Sequence, residues 1–374
     1  MKFLIVTHVP HIVAQNRYFA YAPFVNEMNI WSKYVTELII VAPFSSNTIT
    51  PIDAAYEQAN IRYIPIENFD VLSLKNSILA LSKIPKILVK MYGAMQKADH
   101  IHLRCPGNIG LLGCILQMLF PSKLKTAKYA GNWDPDSTQP WTYKLQSWIL
   151  NNSFLTRNMQ VLVYGEWLRQ SKNIKPFFTA TYSDKEKLSL LPVLQKDKFE
   201  FQFIFVGALV KGKNPLYAIQ LVERLLQNGY NVTLTLYGEG VERVKIENYI
   251  TSKKLTNYIT LEGNKNRESL KQAYLNSHFV VLPSDSEGWP KAIAEGMFWG
   301  CVPIAKPVSC VASMLDYGDR GVLIEMDLDK DTQALTNILH TPKLYFELRS
   351  KAADWSRQFT LEKFEEEIKN LLHS

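Results

Sequence analysis

Glu287 and Glu295 stand with seven residues between them in the run Val280 to Pro303, V-V-L-P-S-D-S-E-G-W-P-K-A-I-A-E-G-M-F-W-G-C-V-P. The run opens as an apolar, β-branched strand over Phe279 to Leu282 and breaks at Pro283. A polar Ser-Asp-Ser-Glu-Gly loop follows, and Pro290 is the expected first residue of a helix. Backbone N–H groups and the positive end of the helix dipole gather at such a start, which suits phosphate or another anion. One carboxylate then meets the ligand from the loop and the other from about a turn and a half inside the helix. Two carboxylates beside an anion site call for a ligand that also donates hydroxyls, and a sugar nucleotide offers both. The competing reading is a solvated Lys291–Glu295 pair at i,i+4 with a turn acid at Glu287.

In this strand–loop–helix setting the stretch resembles the E-x7-E signature of the retaining, nucleotide-sugar-dependent glycosyltransferases of family 4. The resemblance implies the α/β GT-B fold, two Rossmann-like doubly wound domains facing across a cleft. It implies that Glu287 contacts the donor sugar's hydroxyls and that Glu295 holds the ribose. Gly288, Trp289, Pro290 and Lys291 then form the donor loop; Pro290 replaces a glycine of the family pattern and removes one N–H donor, and Lys291 supplies charge beside it. Upstream, F-Q-F-I-F-V-G-A-L-V-K-G-K resembles the family's V-G-R-L-x-x-x-K run. Gly207 and Lys213 match it, Ala208 stands where the family has Arg, and Lys211 is the nearest replacement cation. Gly238, in G-E-G after a strand, is a candidate close backbone approach to the donor, and Asn264 sits in a turn similar to the family's nucleobase-contacting loop. Asn132, Trp133 and Asp134 occupy the place of a cleft segment that touches the transferring sugar, which puts Asp134 with Glu287 and Lys213 among the catalytic candidates. Asp134-Pro135-Asp136 also has the look of a D-x-D metal motif, but Pro135 fits a turn equally well, and no metal or other cofactor is assigned.

The elements that must position these groups alternate strand and helix every twenty to thirty residues, the mark of parallel doubly wound sheets. The expected domains are 1–190 for the acceptor, 191–345 for the donor, and 346–374 as terminal helices packing back across the junction, with a linker near Leu188 to Lys198. In the first domain the loop after the first strand carries His11 and Arg17, and Arg104 ends a later strand, opening into Gly107-Asn108-Ile109-Gly110. Loops at the carboxyl edge of such a sheet bind ligands, so His11, Arg17, Arg104, Asn132 and Trp133 are the acceptor-side candidates. An arginine fork there suits an acceptor phosphate; an idle loop histidine is the alternative for His11. Leu72 to Met95 reads as helical, in two pieces about Pro85. Gln139 to Asn152 reads as a helix with Trp141, Leu145, Trp148 and Ile149 in its core stripe.

The chain has 374 residues, 47% of them hydrophobic and 21% charged, the balance of an ordinary folded protein with room for two cores. Its net charge of +7 is unevenly spread. Residues 1–196 hold 21 Lys and Arg against 12 Asp and Glu, a balance of +9, and the remainder holds 21 against 23, a balance of −2. Lys83, Lys86, Lys90 and Lys97 recur at helical spacing on one face, which reads first as the solvated face of a helix packed on the sheet and second as a membrane-surface helix. The basic half suits an anionic membrane or a phosphorylated acceptor. No nucleic-acid-binding motif accompanies the charge. The first residues read as a buried strand rather than a signal peptide, and the longest apolar run falls short of a membrane span. The four cysteines lack C-x-x-C spacing, which fits reduced thiols. The expected setting is cytoplasmic, at the inner face of the membrane, with a saccharide or lipid-linked saccharide as acceptor. A sugar-nucleotide epimerase of the same fold and a catalytically weak partner subunit are the rival readings.

Overall fold

The computed structural model describes residues 1–69, 74–168, 170–189 and 200–373, with the backbone alone for 74–81 and 373. Its contacts divide the chain into two units, Met1–Phe178 with Phe364–Ser374, and Thr179–Lys363. The expected linker, 188–198, lies for the most part outside the described residues.

The first unit is built on a parallel sheet whose inner strands are largely buried, as a sheet covered on both faces requires, apolar over Phe3–Val6 and Leu38–Val41 but with His100, His102, Lys125 and Lys128 buried as well. Chain order gives β1 (Lys2–Val6), β2 (Ile12–Ala14), β3 (Arg17–Tyr21), α1 (Ala22–Ser32), β4 (Glu37–Pro43), β5 (Asp53–Ala55), β6 (Ile61–Ile66), α2 (Leu74–Lys97), β7 (His100–Cys105), α3 (Asn108–Leu116), β8 (Leu124–Tyr129), α4 (Trp141–Leu150), β9 (Met159–Tyr164) and β10 (Ile174–Phe177). The main sheet runs β10-β9-β8-β7-β1-β4-β6, and β2, β3 and β5 form a small antiparallel sheet beside it. Helices α2, α3 and α4 share one core: Ile87 and Met91, Ile109 and Cys114, and Ile149 and Leu150 all pack with Leu4, Val6, Ile39 and Val41 of the sheet. They therefore cover one face of it.

Two sequence expectations are corrected here. Pro85 does not divide α2, which runs unbroken because its inner face, Ile87, Met91, Ala94 and Met95, is buried on the sheet and outweighs one lost hydrogen bond. Trp141 and Trp148 are not core residues, being 68% and 61% exposed. The buried face of α4 is Thr142, Gln146, Ile149 and Leu150, and the Gln146 side chain accepts a hydrogen bond from the Gly107 amide at 3.2 Å.

The second unit continues with β11 (Phe201–Val206), α5 (Pro215–Gln227), β12 (Val232–Tyr237), α6 (Arg243–Ser252), β13 (Ile259–Gly263), α7 (Arg267–Leu275), β14 (Phe279–Leu282), α8 (Lys291–Trp299), β15 (Val302–Ala305), the short α9 (Val311–Met314), β16 (Val322–Leu323), α10 (Leu328–His340), α11 (Pro342–Ser356) and α12 (Leu361–His373). Its parallel sheet has the order β13-β12-β11-β14-β15-β16. Sequence order reverses between β11 and β14, which makes the carboxyl edge there the topological switch point, where open α/β sheets place a ligand crevice. Pro290 is the N-cap of α8 rather than its first residue; the helix starts at Lys291 and ends on Gly300, whose φ of +90° suits a left-handed cap. The last turns of α12 belong with the first unit, where Phe364 packs on Phe177 and Phe178 with ring centroids 5.5 and 5.7 Å away.

Candidate functional site

In the second unit, the loops leaving β11 and β14 are tied to each other across the topological switch. The Asp285 amide donates to the Gly212 carbonyl at 2.9 Å, and the Asn214 side chain donates to the Pro283 carbonyl at 2.9 Å. Asn214 sits in the left-handed region, φ +49°, which asparagine tolerates better than most residues. This lacing brings Lys213 and Glu287 into a direct ion pair, with the carboxylate nearly buried and the ammonium partly open. A cation and a carboxylate thus stand together at the mouth of the crevice.

Asp285 carries a second cation, Lys306 from the end of β15, at 2.9 Å. Burial works to raise the Asp285 carboxyl, but hydrogen bonds from Lys306 and Asn214 and the charges of Lys306 and Lys211 outweigh it and hold it below its ordinary value. Lys306 was not among the sequence candidates; its only signal is its place just past a strand's carboxyl end. Ser284 beside it is fully buried, and its hydroxyl has no hydrogen-bond partner among the described residues.

Glu295 points elsewhere. Its carboxylate accepts from the Thr181 hydroxyl at 2.8 Å and the Tyr274 hydroxyl at 3.3 Å. It lines a small pocket with Thr179, Thr181, Tyr182, Trp289 and Lys291. Burial raises its pKa, opposed by those two hydrogen bonds and by Lys291. Trp289 stacks on Trp355 at 6.1 Å and meets the edge of Phe359 at 5.4 Å, which fixes the loop between the two glutamates. The Gly288 carbonyl accepts from the Cys310 thiol at 3.2 Å.

Gly207 and Gly238 meet backbone to backbone. A Cβ on Gly238, which has φ +141°, would lie 2.0 Å from the Gly207 carbonyl oxygen. The glycine here is therefore required by the approach of the chain to itself. Asn264 is exposed in the turn that follows Gly263, where φ is +69°. Lys211 is also exposed.

The first unit treats its candidates unevenly. Arg104 donates to Glu27 at 2.9 Å, and the buried Lys128 reaches the same oxygen at 3.0 Å, so one carboxylate faces two cations. Lys128 also lies 5.1 Å over the Phe364 ring and 5.4 Å over Phe177. His11 is fully buried, with Nδ1 on the Val9 carbonyl and Nε2 on the Tyr56 hydroxyl, both at 2.8 Å. Both ring nitrogens are in use, which corrects the expectation of a loop histidine open to an acceptor. Trp133 is likewise buried, edge-on to Tyr129 at 4.8 Å, and packs in the core instead of facing a ligand. Asn132 and Asp134 hold a turn: the Asp134 amide donates to the Asn132 side chain and the Asp136 amide to the Asp134 side chain, each at 2.9 Å. Arg17 is exposed on β3, over the Phe19 ring at 5.6 Å.

Residues 188–355 match the sequence family described as Glycosyl transferases group 1. An uncharacterized glycosyltransferase of Haemophilus influenzae is 26% identical over 187 residues, 49% of this chain and 52% of that protein. One of Methanocaldococcus jannaschii is 27% identical over 161 residues, 43% of this chain and 44% of that protein. The chain thus aligns with about half the length of these curated relatives. Among solved structures, the sucrose-phosphate synthase of Thermosynechococcus elongatus superposes with a TM-score of 0.71 at 15% identity, over 100% of this chain and 98% of that one. The Anabaena protein HepE, solved with UDP and glucose, gives a TM-score of 0.71 at 14% identity over 100% of both chains. At these identities the likeness establishes the fold, two Rossmann-like parallel-sheet domains of the GT-B class, as the signature in the sequence implied.

Proposed function

This chain carries a domain of the group 1 glycosyltransferases over residues 188–355, and from that premise we propose that it transfers a sugar from a nucleotide diphosphate-sugar to a hydroxyl of a saccharide or lipid-linked saccharide, with retention of configuration. The observation that carries this reading is the Lys213–Glu287 pair at the switch point of the second sheet. The diphosphate lies against Lys213 and the start of α8, where a fixed cation and a helix dipole stabilise the charge that grows on the leaving group. Lys306 and Lys211 supply the positive charge that Ala208 does not. Glu287 turns from Lys213 to the donor sugar's hydroxyls, and Glu295 takes the ribose in place of Thr181 and Tyr274. The acceptor hydroxyl attacks the anomeric carbon from the side of the departing diphosphate. The bond to the diphosphate breaks, and a phosphate oxygen receives the hydroxyl proton.

The acceptor belongs to the first unit, with Arg104 as its anion contact and Arg17 and Asn132 as further contacts. No helix among the described residues is long and apolar enough to cross a membrane. A role in cell-surface polysaccharide assembly at the inner face of the membrane fits the basic balance of residues 1–196. Since HepE was solved with UDP and glucose, UDP-sugars are the first donors to test, followed by GDP- and ADP-sugars.

Calorimetry with this panel, run beside a released-nucleotide assay, tests the reading. One donor is expected to bind, with slow hydrolysis that an acceptor accelerates, and both Lys213→Ala and Glu287→Ala are expected to weaken binding at least tenfold. No binding by any donor would overturn the assignment of the site. Conversion of the donor to an isomeric nucleotide sugar with no acceptor present would indicate an epimerase.

A further inference from the structure

We propose that the first unit docks on an anionic lipid bilayer through the outward side of α2, α3 and α4, with the indoles of Trp141 and Trp148 inserted at the interface. The proposal deepens the membrane reading above but does not rest on the donor site. It differs from the lysine stripe legible in the sequence. Lys83 donates to the Asn68 carbonyl at 3.1 Å and lies 3.5 Å from Glu67, and Lys90 donates to the Pro65 carbonyl at 2.6 Å. Both heads are thereby drawn onto the end of β6. What the stripe leaves outward is Lys86 and Lys97, and the rest of the surface comes from the neighbouring helices.

Three observations converge. First, α2, α3 and α4 contain no aspartate or glutamate, while α2 and α4 carry lysines that include Lys86, Lys97 and Lys144. Solvated helix faces ordinarily mix both signs, and a basic set without acids favours an anionic partner. Second, the apolar side chains that these helices turn outward are large. Val89 is 73% exposed and Leu119, just past α3, 64%, besides the two tryptophans on α4. Trp141 and Trp148 are two turns apart and share a side of α4 with the exposed Lys144. Third, all three helices pack on the same face of the sheet through one core, which turns their outer sides the same way. Indoles beside lysines, with aliphatic chains between, match the headgroup zone of a bilayer, where amphipathic rings and cations both find partners. A nucleic acid would use the lysines but gain nothing from Val89 and Leu119.

The test is co-sedimentation of the full chain with phosphatidylcholine vesicles, with and without phosphatidylglycerol, at low and high salt. Binding is expected to the anionic vesicles alone, to weaken with salt, and to shift tryptophan emission to the blue. Trp141→Ala with Trp148→Ala is expected to lower the partition coefficient at least tenfold while leaving thermal melting unchanged. Lys86→Gln with Lys144→Gln lowers it about 25-fold, at roughly a factor of five per lysine. This second pair decides the matter if the tryptophan variant does not fold. Absence of binding, equal binding to neutral vesicles, or partition unchanged in both pairs would overturn the proposal. Capture of an RNA homopolymer that the lysine pair abolishes and the tryptophan pair leaves intact would overturn it in favour of a nucleic acid. Nucleotide-sugar calorimetry on the same samples separates this outcome from failure of the transferase reading, because the donor residues lie in the second unit.

Discussion

Lys213 and Glu287 are unequal partners, and the difference is measurable. The Glu287 side chain is 8% exposed and that of Lys213 28%, so removing the lysine strands a carboxylate in a nearly dry loop, while removing the charge of the glutamate leaves an ammonium that can reach water. Lys213→Ala is therefore expected to cost about 2 kcal/mol of stability and Glu287→Gln about 1 kcal/mol or less. Urea denaturation followed in the second unit checks this, and equal costs would show that the pair is solvated. The glutamates and the lysine were legible because their spacing and strand–loop–helix setting need no tertiary information. Thr181, Tyr274 and Lys306 were not, because each reaches the site from a distant segment and no local pattern marks it. His11 and Trp133 failed for the opposite reason. Loop position was legible, but a fold that buries the loop against Tyr56 or Tyr129 is not.

At the scale of elements, the crossing of the loops after β11 and β12 depends on glycine. Gly238→Ala would force a methyl against the Gly207 carbonyl oxygen, 2.0 Å from the ideal Cβ position, in a backbone region that L-residues rarely occupy. The expected cost is about 3 kcal/mol or more, felt as a lower melting temperature of the second unit and as lost donor binding together. Gly212→Ala serves as the control, since nothing lies within 4 Å of its Cβ position. A Gly238→Ala protein as stable as the control would refute the close approach. Buried parallel strands that are continuous apolar runs bounded by turn residues were easily read; β8 was not, because its buried run carries Lys125, Thr126 and Lys128. The small sheet of β2, β3 and β5 was not, because its strands are short and only partly buried. The tight turn at Gln15-Asn16, both at positive φ, carries no glycine to announce a hairpin. The face of α4 was misread because Trp141 and Trp148 share the helical period with Leu145 and Ile149; periodicity gives a stripe but not which edge of it is dry.

For the whole molecule, the placement of histidines predicts that the two units respond differently to acid. His8, His11, His100 and His102, all held below the ordinary imidazole value chiefly by burial, lie in the first unit and His278 in the second. Burial lowers His11, His100 and His278 to about 4, and His102, despite the opposing charge of Glu27, to about 3. The geometry gives the same direction. His100 Nε2 and His102 Nδ1 share the Thr126 hydroxyl at 2.9 and 2.8 Å, and their other ring nitrogens have no partner among the described residues. A second proton on either ring would therefore bury an unsatisfied N–H and a charge. His278 Nδ1 accepts from the Gln202 amide at 3.0 Å, a bond that a proton on that nitrogen would abolish. In the unfolded chain these rings titrate near 6.5, so between about pH 6.5 and 4 the unfolded state binds more protons than the folded one. Stability is present in full above 6.5 and falls as the pH drops, by up to about 1.4 kcal/mol per pH unit for each such histidine. With four lowered histidines in the first unit against one in the second, the first unit is expected to lose stability several times as steeply. Hydrogen exchange read by mass spectrometry on peptides from each unit, at pH 7 and pH 5 with intrinsic rates corrected, measures the two slopes separately. Equal slopes, or no loss in the first unit above pH 5, would mean that its buried imidazoles are protonated in the folded state, and the Thr126 arrangement would then have to be abandoned.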